Sequence, residues 1–178
     1  MNPSTAQARV MVDELIRCGV TDAVLGPGSR NAPFALALAE AEREGSISLH
    51  VRTDERSAGY VALGLSKVTG VPAVVVTTSG TAAVNLHPAV VEASEAGVPL
   101  IALTTDRPPA LRDVGANQAI AQVGIFGRDV RSAIDMSVAV AQRGQVRTWR
   151  STVARVVASA TDAVNPGPVH LNAPLADP

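Results

Sequence analysis

The chain alternates short apolar runs rich in β-branched residues with longer segments whose apolar residues recur at helical spacing. The clearest runs, 73–76 (Ala-Val-Val-Val) and 100–103 (Leu-Ile-Ala-Leu), are typical of strands buried on both faces. Further strands are predicted at 22–25, 47–51, 134–136 and 168–172. Because strands and helices alternate, the sequence predicts an α/β fold: a doubly wound parallel sheet of about six strands with helices on both faces.

Helical segments fill the gaps between these strands, and several have recognisable ends. Ser4 or Thr5 can cap the first helix, which a glycine ends at position 19. One helix is predicted from residue 81 to residue 97, and the last follows the apolar stripe from Trp149 to Val164. Residues 106–131 are different, because they are polar, contain glycine and proline, and include only a brief predicted helix around Ala119. A long irregular stretch in a compact domain is more often functional than a tether.

Composition narrows the class of protein. The 178 residues suit one domain, and 47% are apolar but only 2% aromatic, so small aliphatic side chains must build the core. A formal net charge of -1 gives no electrostatic case for nucleic-acid binding. The single cysteine, Cys18, excludes an internal disulfide framework, and the three histidines lack metal-ligand spacing. No signal sequence or membrane-spanning run is seen, so we expect a soluble cytoplasmic domain.

Glu55 directly follows the predicted second strand, in the first turn of a helix that Thr53 or Asp54 can cap. In an open α/β sheet this position is the carboxyl end of a strand, where ligands bind. The simpler interpretation is that Glu55 only complements the helix dipole. Polar clusters after three other strands shift the balance towards a functional role.

Glycine-containing turns follow the first and third strands. Residues 26–30 (Gly-Pro-Gly-Ser-Arg) can bind an anion through backbone N–H groups, and Arg30 can bind a carboxylate in two-pronged fashion. The turn is neither a Walker A loop nor a dinucleotide fingerprint, because the required lysine and third glycine are missing. Residues 77–81 (Thr-Thr-Ser-Gly-Thr) repeat this arrangement. The alternatives are an ordinary strand-to-helix turn for the first and a helix cap by Ser79 for the second.

Two more polar clusters follow the fourth strand. Arg107 either binds a ligand or pairs with Asp106 on the surface. Asn117 and Gln118 offer neutral amides in a loop, and turn chemistry with a solvated side chain is the alternative for them. Four weak signals at one edge of one sheet together predict a binding site.

These residues resemble those of a known family. Residues 26–30, 54–58, 78–82 and 115–118 resemble the pyrimidine-binding domain of thiamine-diphosphate enzymes. More narrowly, 28–33 (Gly-Ser-Arg-Asn-Ala-Pro), 105–109 (Thr-Asp-Arg-Pro-Pro) and 115–120 (Gly-Ala-Asn-Gln-Ala-Ile) are similar to the menaquinone-pathway synthases of 2-succinyl-5-enolpyruvyl-6-hydroxy-3-cyclohexene-1-carboxylate. The likeness covers essentially all 178 residues but only the N-terminal third of such enzymes. It implies that residues 1–178 are the pyrimidine-binding N-terminal domain of a longer three-domain enzyme.

The resemblance also assigns roles. Glu55 is implied to be catalytic, because in the family a glutamate at this point hydrogen-bonds the pyrimidine ring of thiamine diphosphate. The cofactor residues implied are Glu55, Thr78, Gly80 and Thr81, and the substrate residues are Ser29, Arg30, Arg107, Asn117 and Gln118. The implied substrates are 2-oxoglutarate and isochorismate. Mg²⁺ (or Mn²⁺) is implied to bind the C-terminal domain of the longer enzyme, so no metal ligand is assigned to this chain.

Further consequences follow from the same resemblance. The full-length enzyme is expected to be a homodimer or homotetramer, and the isolated domain is expected to be inactive. Asn31 stands where many relatives have serine, and it receives no role. Two alternatives remain: another thiamine-diphosphate enzyme of the acetolactate-synthase kind, or a non-catalytic α/β binding or regulatory domain. Arg30 and Arg107 favour the menaquinone-pathway synthase over the acetolactate-synthase kind, because an enzyme whose only acceptor is pyruvate needs fewer cationic partners.

Overall fold

Six parallel strands form one sheet in the computed structural model, which describes residues 2–176. In chain order they are β1 (Asp22–Leu25), β2 (Ser48–Val51), β3 (Ala73–Thr77), β4 (Leu100–Asp106), β5 (Ser132–Asp135) and β6 (Pro168–Pro174). Their order in the sheet is β2-β1-β3-β4-β6-β5, and every pairing is parallel. The predicted parallel sheet of about six strands is therefore confirmed.

Helices cover both faces of the sheet. They are α1 (Pro3–Arg17), α2 (Ala32–Arg43), α3 (Glu55–Thr69), α4 (Thr81–Val84), α5 (His87–Ala96) and α6 (Gln145–Ala160). Residues of α1, α2 and α6 share one apolar cluster with Val74 and Val76 of β3. Residues of α3 and α5 share the opposite cluster with Val75. Because side chains alternate along a strand, β3 contributes to both cores and is buried at every position.

Several helix ends differ from the prediction. Asn2 caps α1 by accepting a 2.8 Å hydrogen bond from the Ser4 N–H, so the helix begins earlier than expected. The helix predicted from 81 to 97 is two helices, because Pro88 lacks the N–H that a continuous helix would use. The prediction of a brief helix around Ala119 is wrong, since residues 113–122 form no helix and only a single turn at 117–118. Val164 lies beyond the end of α6 and is 92% exposed.

The chain direction brings particular ends together. Each helix that precedes a strand runs back across the sheet, so the carboxyl ends of all six strands meet at one edge. Nothing in residues 2–176 forms a helix long and apolar enough to cross a membrane. The candidate residues identified from the sequence fall at the carboxyl edge.

Candidate functional site

Glu55 is the first residue of α3, and its neighbours fix where it begins. The Arg52 N–H donates to the carbonyl of Leu25 over 2.9 Å, which extends the β1–β2 pairing past Val51. Asp54 then caps α3 by accepting a 2.7 Å hydrogen bond from the Ser57 N–H, and this bond lowers the pKa of the Asp54 carboxyl. Of the two predicted caps, Asp54 is the one used. The cap places Glu55 at the carboxyl edge of the sheet.

Gly26 leaves room for the Glu55 side chain. A Cβ atom added to Gly26 would lie 3.1 Å from the Cγ of Glu55, closer than ordinary packing allows. Glu55 is half-buried, and within residues 2–176 its carboxylate makes no hydrogen bond or ion pair. A partly desolvated carboxylate without a protein partner is an acceptor suited to a donor from a ligand.

The turn after β1 rests on the turn after β3. A Cβ on Gly28 would come within 2.5 Å of the Thr78 Cβ, so only glycine allows this approach. Asn31, buried, donates from Nδ2 to the Gly26 carbonyl over 2.7 Å and so closes the turn. The structure therefore gives Asn31 a local structural role. Its Oδ1 is buried without a hydrogen-bond partner among the residues described.

Two arginines lie at this edge. One guanidinium nitrogen of Arg30 donates to the Leu175 carbonyl over 2.9 Å, which ties the β1–α2 turn to the end of β6. Arg107 donates from its guanidinium to Ser79 Oγ over 2.8 Å, while its backbone N–H donates to Asp106. The guanidinium of Arg107 is thus directed to the β3–α4 turn, and Asp106 takes its ion pair from Arg112 instead.

The loop after β4 is attached to that same turn. Ser79 Oγ donates to the Gln118 carbonyl over 3.0 Å, and Gln118 Nε2 donates back to the Ser79 carbonyl over 2.9 Å. Gly80, with φ of 82°, lies so close to this loop that an added Cβ would meet the Gln118 side chain (Cγ) at 2.9 Å and its carbonyl oxygen at 3.1 Å. Gln118 itself has φ of 58°, a conformation that costs a non-glycine residue about 1–3 kcal/mol. The surrounding hydrogen bonds hold it there.

The predicted site residues differ in how far their side chains are exposed to solvent. Thr78, which directly follows β3, is buried, whereas Thr81, the first residue of α4, is exposed. Ser29 is exposed in the β1–α2 turn, and Asn117 is exposed in the loop beside Gln118. The structure therefore brings all the predicted turns to one edge, where some of the predicted side chains are exposed and others are buried.

A buried polar network lies beneath this edge, and sequence reasoning missed it. Asn172, on β6, accepts hydrogen bonds from Thr104 Oγ1 and Gln122 Nε2 and donates to Asp106 and Asp135. The only sequence signal was a polar residue inside a predicted buried strand, since its partners are up to 68 residues away.

Arg112 forms ion pairs with the two carboxylates of the network. It forms ion pairs of 2.9 Å with Asp106 and 3.0 Å with Asp135, and these contacts raise its pKa, chiefly through the bond to Asp135. Asp106 is only 1% exposed, and Arg112 supplies the ion-pair partner that a buried carboxylate needs. Arg112 is engaged in the fold and is not a candidate for substrate binding. Among residues 2–176, no group of three or more His, Cys, Asp or Glu side chains could hold a metal ion.

Comparison with known proteins identifies the family. The family model described as "Thiamine pyrophosphate enzyme, N-terminal TPP binding domain" matches residues 6–125. Relatives named 2-succinyl-5-enolpyruvyl-6-hydroxy-3-cyclohexene-1-carboxylate synthase include one from Saccharopolyspora erythraea, 56% identical over 178 residues (100% of this chain, 32% of the relative). The relative from Mycobacterium tuberculosis strain H37Rv is 56% identical over 184 residues, and that from Mycobacterium avium strain 104 is 55% identical over 184.

The matches to the two mycobacterial relatives cover 100% of this chain and 33% and 34% of the relatives. The chain therefore spans about a third of the length of the curated relatives it matches. The family model covers more than half of the chain, and it covers both strand-to-helix turns and Glu55. The chain belongs to the thiamine pyrophosphate enzyme family, as an N-terminal TPP-binding domain.

Proposed function

We propose that this chain is the pyrimidine-binding domain of a 2-succinyl-5-enolpyruvyl-6-hydroxy-3-cyclohexene-1-carboxylate synthase, a carbon–carbon bond-forming transferase of menaquinone biosynthesis. The proposed reaction removes carbon dioxide from 2-oxoglutarate and adds the resulting succinic semialdehyde carbanion to isochorismate. Relatives that carry this name, at 55–56% identity across the whole chain, support the proposal.

The observation that carries the proposal is the position of Glu55. Its carboxylate lies at the carboxyl edge of the sheet beside Gly26, which has no side chain to block the approach. A carboxylate there can accept a hydrogen bond from a protonated ring nitrogen and stabilise that protonated form. Thiamine diphosphate, when bound, supplies the carbanion chemistry of the reaction. Thr78, Gly80 and Thr81 are the proposed wall of the pyrimidine site.

Arg30 and Arg107 supply positive charge for the proposed substrates. Both 2-oxoglutarate and isochorismate are dicarboxylates, and guanidinium groups recognise carboxylates in a fixed two-pronged geometry. Arg30 is anchored to β6 and Arg107 to Ser79, so neither has to be ordered from a fully mobile state when substrate arrives. Asn117 and Gln118 are the proposed neutral contacts, and Ser29 adds a hydroxyl at the edge.

The remaining parts of the enzyme are proposed to lie outside this chain. Because the chain spans about a third of its relatives, we assign the ligands of the diphosphate and of Mg²⁺ to the rest of a longer polypeptide. It follows that residues 1–178 alone should be inactive. We further propose a homodimer or homotetramer for the full-length enzyme, and a cytoplasmic location that fits the single cysteine.

The direct test replaces Glu55 by Gln in the full-length enzyme. Product formation from 2-oxoglutarate and isochorismate is followed by mass spectrometry with thiamine diphosphate and Mg²⁺ present. The amide keeps the side-chain shape but loses the charge that stabilises a protonated ring nitrogen, so kcat should fall about 10²-fold or more. Binding of the cofactor should largely remain, because the proposed diphosphate ligands lie elsewhere.

The matched control is Glu44→Gln, since this exposed glutamate caps the end of α2 at the opposite edge of the sheet. It should leave turnover unchanged. If both variants keep full activity, Glu55 only complements the dipole of α3. A wild-type enzyme that accepts pyruvate but not 2-oxoglutarate would instead favour the acetolactate-synthase alternative.

A further inference from the structure

Gln122 is a buried side chain whose hydrogen-bonding capacity is spread over three parts of the fold. Its Nε2 donates to the Thr105 carbonyl over 2.9 Å and to Asn172 Oδ1 over 2.8 Å. Its Oε1 accepts from the Gly80 N–H over 3.0 Å. Gln122 is 1% exposed, so a ligand at the site does not reach it. A primary amide is suited to this position, because it combines two N–H donors with an acceptor.

Asn172 anchors Gln122 to the rigid part of the sheet. It lies in register with Thr104 of β4 and Asp135 of β5 and is itself 1% exposed. Its Oδ1 accepts from Thr104 and Gln122, while its Nδ2 donates to Asp106 over 2.9 Å and to Asp135 over 2.8 Å. Both amide atoms of Asn172 are therefore fully used, and the Gln122 carboxamide is held against β4 and β6.

Two glutamines connect the loop to two consecutive residues of the β3–α4 turn. Gln118 exchanges hydrogen bonds with Ser79, and Gln122 accepts from the N–H of Gly80. Gln118 itself is a non-glycine residue with a positive φ of 58°. Such a conformation persists only where the surroundings over-determine it. The hydrogen bonds of Gln122 are buried, so water cannot replace them if the side chain is changed.

We propose that Gln122 is a positioning residue, which holds the loop of residues 113–121 on the Ser79–Gly80 turn so that Asn117 and Gln118 face the substrate. The effect on catalysis rests on the proposed function, whereas the attachment of the loop by Gln122 is a property of the fold. Gln122 acts through Gly80 and Gln118 and does not contact substrate.

The attachment is tested by hydrogen–deuterium exchange with mass spectrometry on the full-length protein without substrates. Gln122→Met keeps the length of the side chain and removes all three hydrogen bonds. Exchange should rise at least tenfold in peptides covering residues 78–82 and 113–122, because the buried Gly80 N–H loses its acceptor. Peptides from β1 should be unchanged. Gln142→Met, at an exposed glutamine outside this network, should leave the exchange of all these peptides unchanged.

The consequence for catalysis is tested with the same variants. A loosened loop must be ordered again when substrate binds, so Gln122→Met should raise KM for the substrates about 10- to 100-fold with a smaller change in kcat. A residue that only stabilised the fold would lower the amount of active enzyme and leave KM unchanged. This difference separates a positioning role from a purely structural one.

Gln122→Glu gives a second and independent signature. An ionised carboxylate can accept from Gly80 but would face the Thr105 carbonyl and Asn172 Oδ1 without a donor, whereas the protonated acid can donate to one of them. The titratable groups around it are Asp106 and Asp135, both paired with Arg112, and the imidazole of His170, which is reached through Thr104. The variant should therefore gain kcat/KM as the pH is lowered, relative to wild type at the same pH.

The outcomes separate this proposal from the proposed function. Faster exchange at both peptides together with raised KM supports the positioning role. Unchanged exchange in Gln122→Met, or faster exchange with unchanged KM, overturns it. If the wild-type enzyme has no activity with 2-oxoglutarate and isochorismate, the proposed function is refuted, and the exchange measurement still decides whether Gln122 holds the loop.

Discussion

His170 should make the free energy of unfolding of this domain depend on pH, and its contribution can be separated from that of other groups by one substitution. Its Nε2 lies 2.8 Å from Thr104 Oγ1, whose hydroxyl hydrogen is donated to Asn172 Oδ1. Threonine has one such hydrogen, so His170 Nε2 must be the donor in its own bond. The ring also packs edge-on against Phe126, with centroids 4.7 Å apart. His170 is thus a neutral donor enclosed by the fold.

The magnitude follows from linkage. Burial lowers the pKa of His170 from 6.5 to about 4, with a smaller opposing effect from the charge of Asp135. Between these values the unfolded chain binds a proton that the folded chain does not. The stabilisation is therefore present above pH 6.5 and is lost as the pH falls towards about 4. At about 1.4 kcal/mol per pH unit, the full change is about 3 kcal/mol.

The assay compares urea unfolding of the wild-type chain and His170→Gln by circular dichroism from about pH 7.5 to about pH 4. Glutamine keeps a donor but cannot be protonated. The variant should be less stable at neutral pH, and the difference in unfolding free energy should shrink by about 3 kcal/mol as the pH falls. His50→Gln, at a half-exposed histidine, should retain the acid limb of the wild-type curve because His170 is still present. A difference between wild type and His170→Gln that is constant with pH would refute this reasoning.

Three further predictions concern the carboxyl edge. Arg30→Ala in the full-length enzyme should raise KM for dicarboxylate substrates by an amount equivalent to about 1.5–3 kcal/mol, measured by steady-state kinetics; unchanged kinetics would exclude the role. Gly28→Ala should destabilise the chain by about 1–3 kcal/mol in urea unfolding, because the new Cβ would lie 2.5 Å from the Thr78 Cβ. The control Gly64→Ala, at a glycine of α3 with open space around it, should be neutral or stabilise the chain by up to about 1 kcal/mol. Arg112→Met should cost about 3–5 kcal/mol, since it leaves a buried carboxylate unpaired, while Arg9→Met, which breaks an exposed ion pair, should cost about 1 kcal/mol or less.

The sequence predicted the strands and the edge at which their ends meet, but it did not reveal every local feature. The Val-Val-Val run of β3 was recognisable because a strand buried on both faces needs apolar residues at every position. The common edge for Glu55 and Arg30 followed from topology, because parallel strands joined by crossovers place their carboxyl ends together. The break before Pro88 was local as well, and it was missed because the apolar spacing continued across it.

The polar network could not be predicted, because its cause is not local. Gln122 and Asn172 are 50 residues apart, and nothing near either one indicates the other. Gln122 would have been assigned to a solvated loop, since the sequence around it is polar and irregular. Its burial becomes visible only when β4 and β6 are known to be neighbours in the sheet. Sequence reasoning therefore located the turns that form the site but not the buried polar network beneath them.

This division has a physical reason that bears on how the site is maintained. A ligand can contact only accessible groups, such as the partly exposed Arg30 and the exposed Asn117, yet their positions depend on residues that it does not touch. Gly28 permits contact between two turns, and Gln122 fixes a loop that contains a strained residue. A substitution at such a supporting position alters the geometry of binding without removing any contacting group. Substitutions of the buried residues that support the site should therefore also change its kinetics, although the family resemblance assigns no role to those residues.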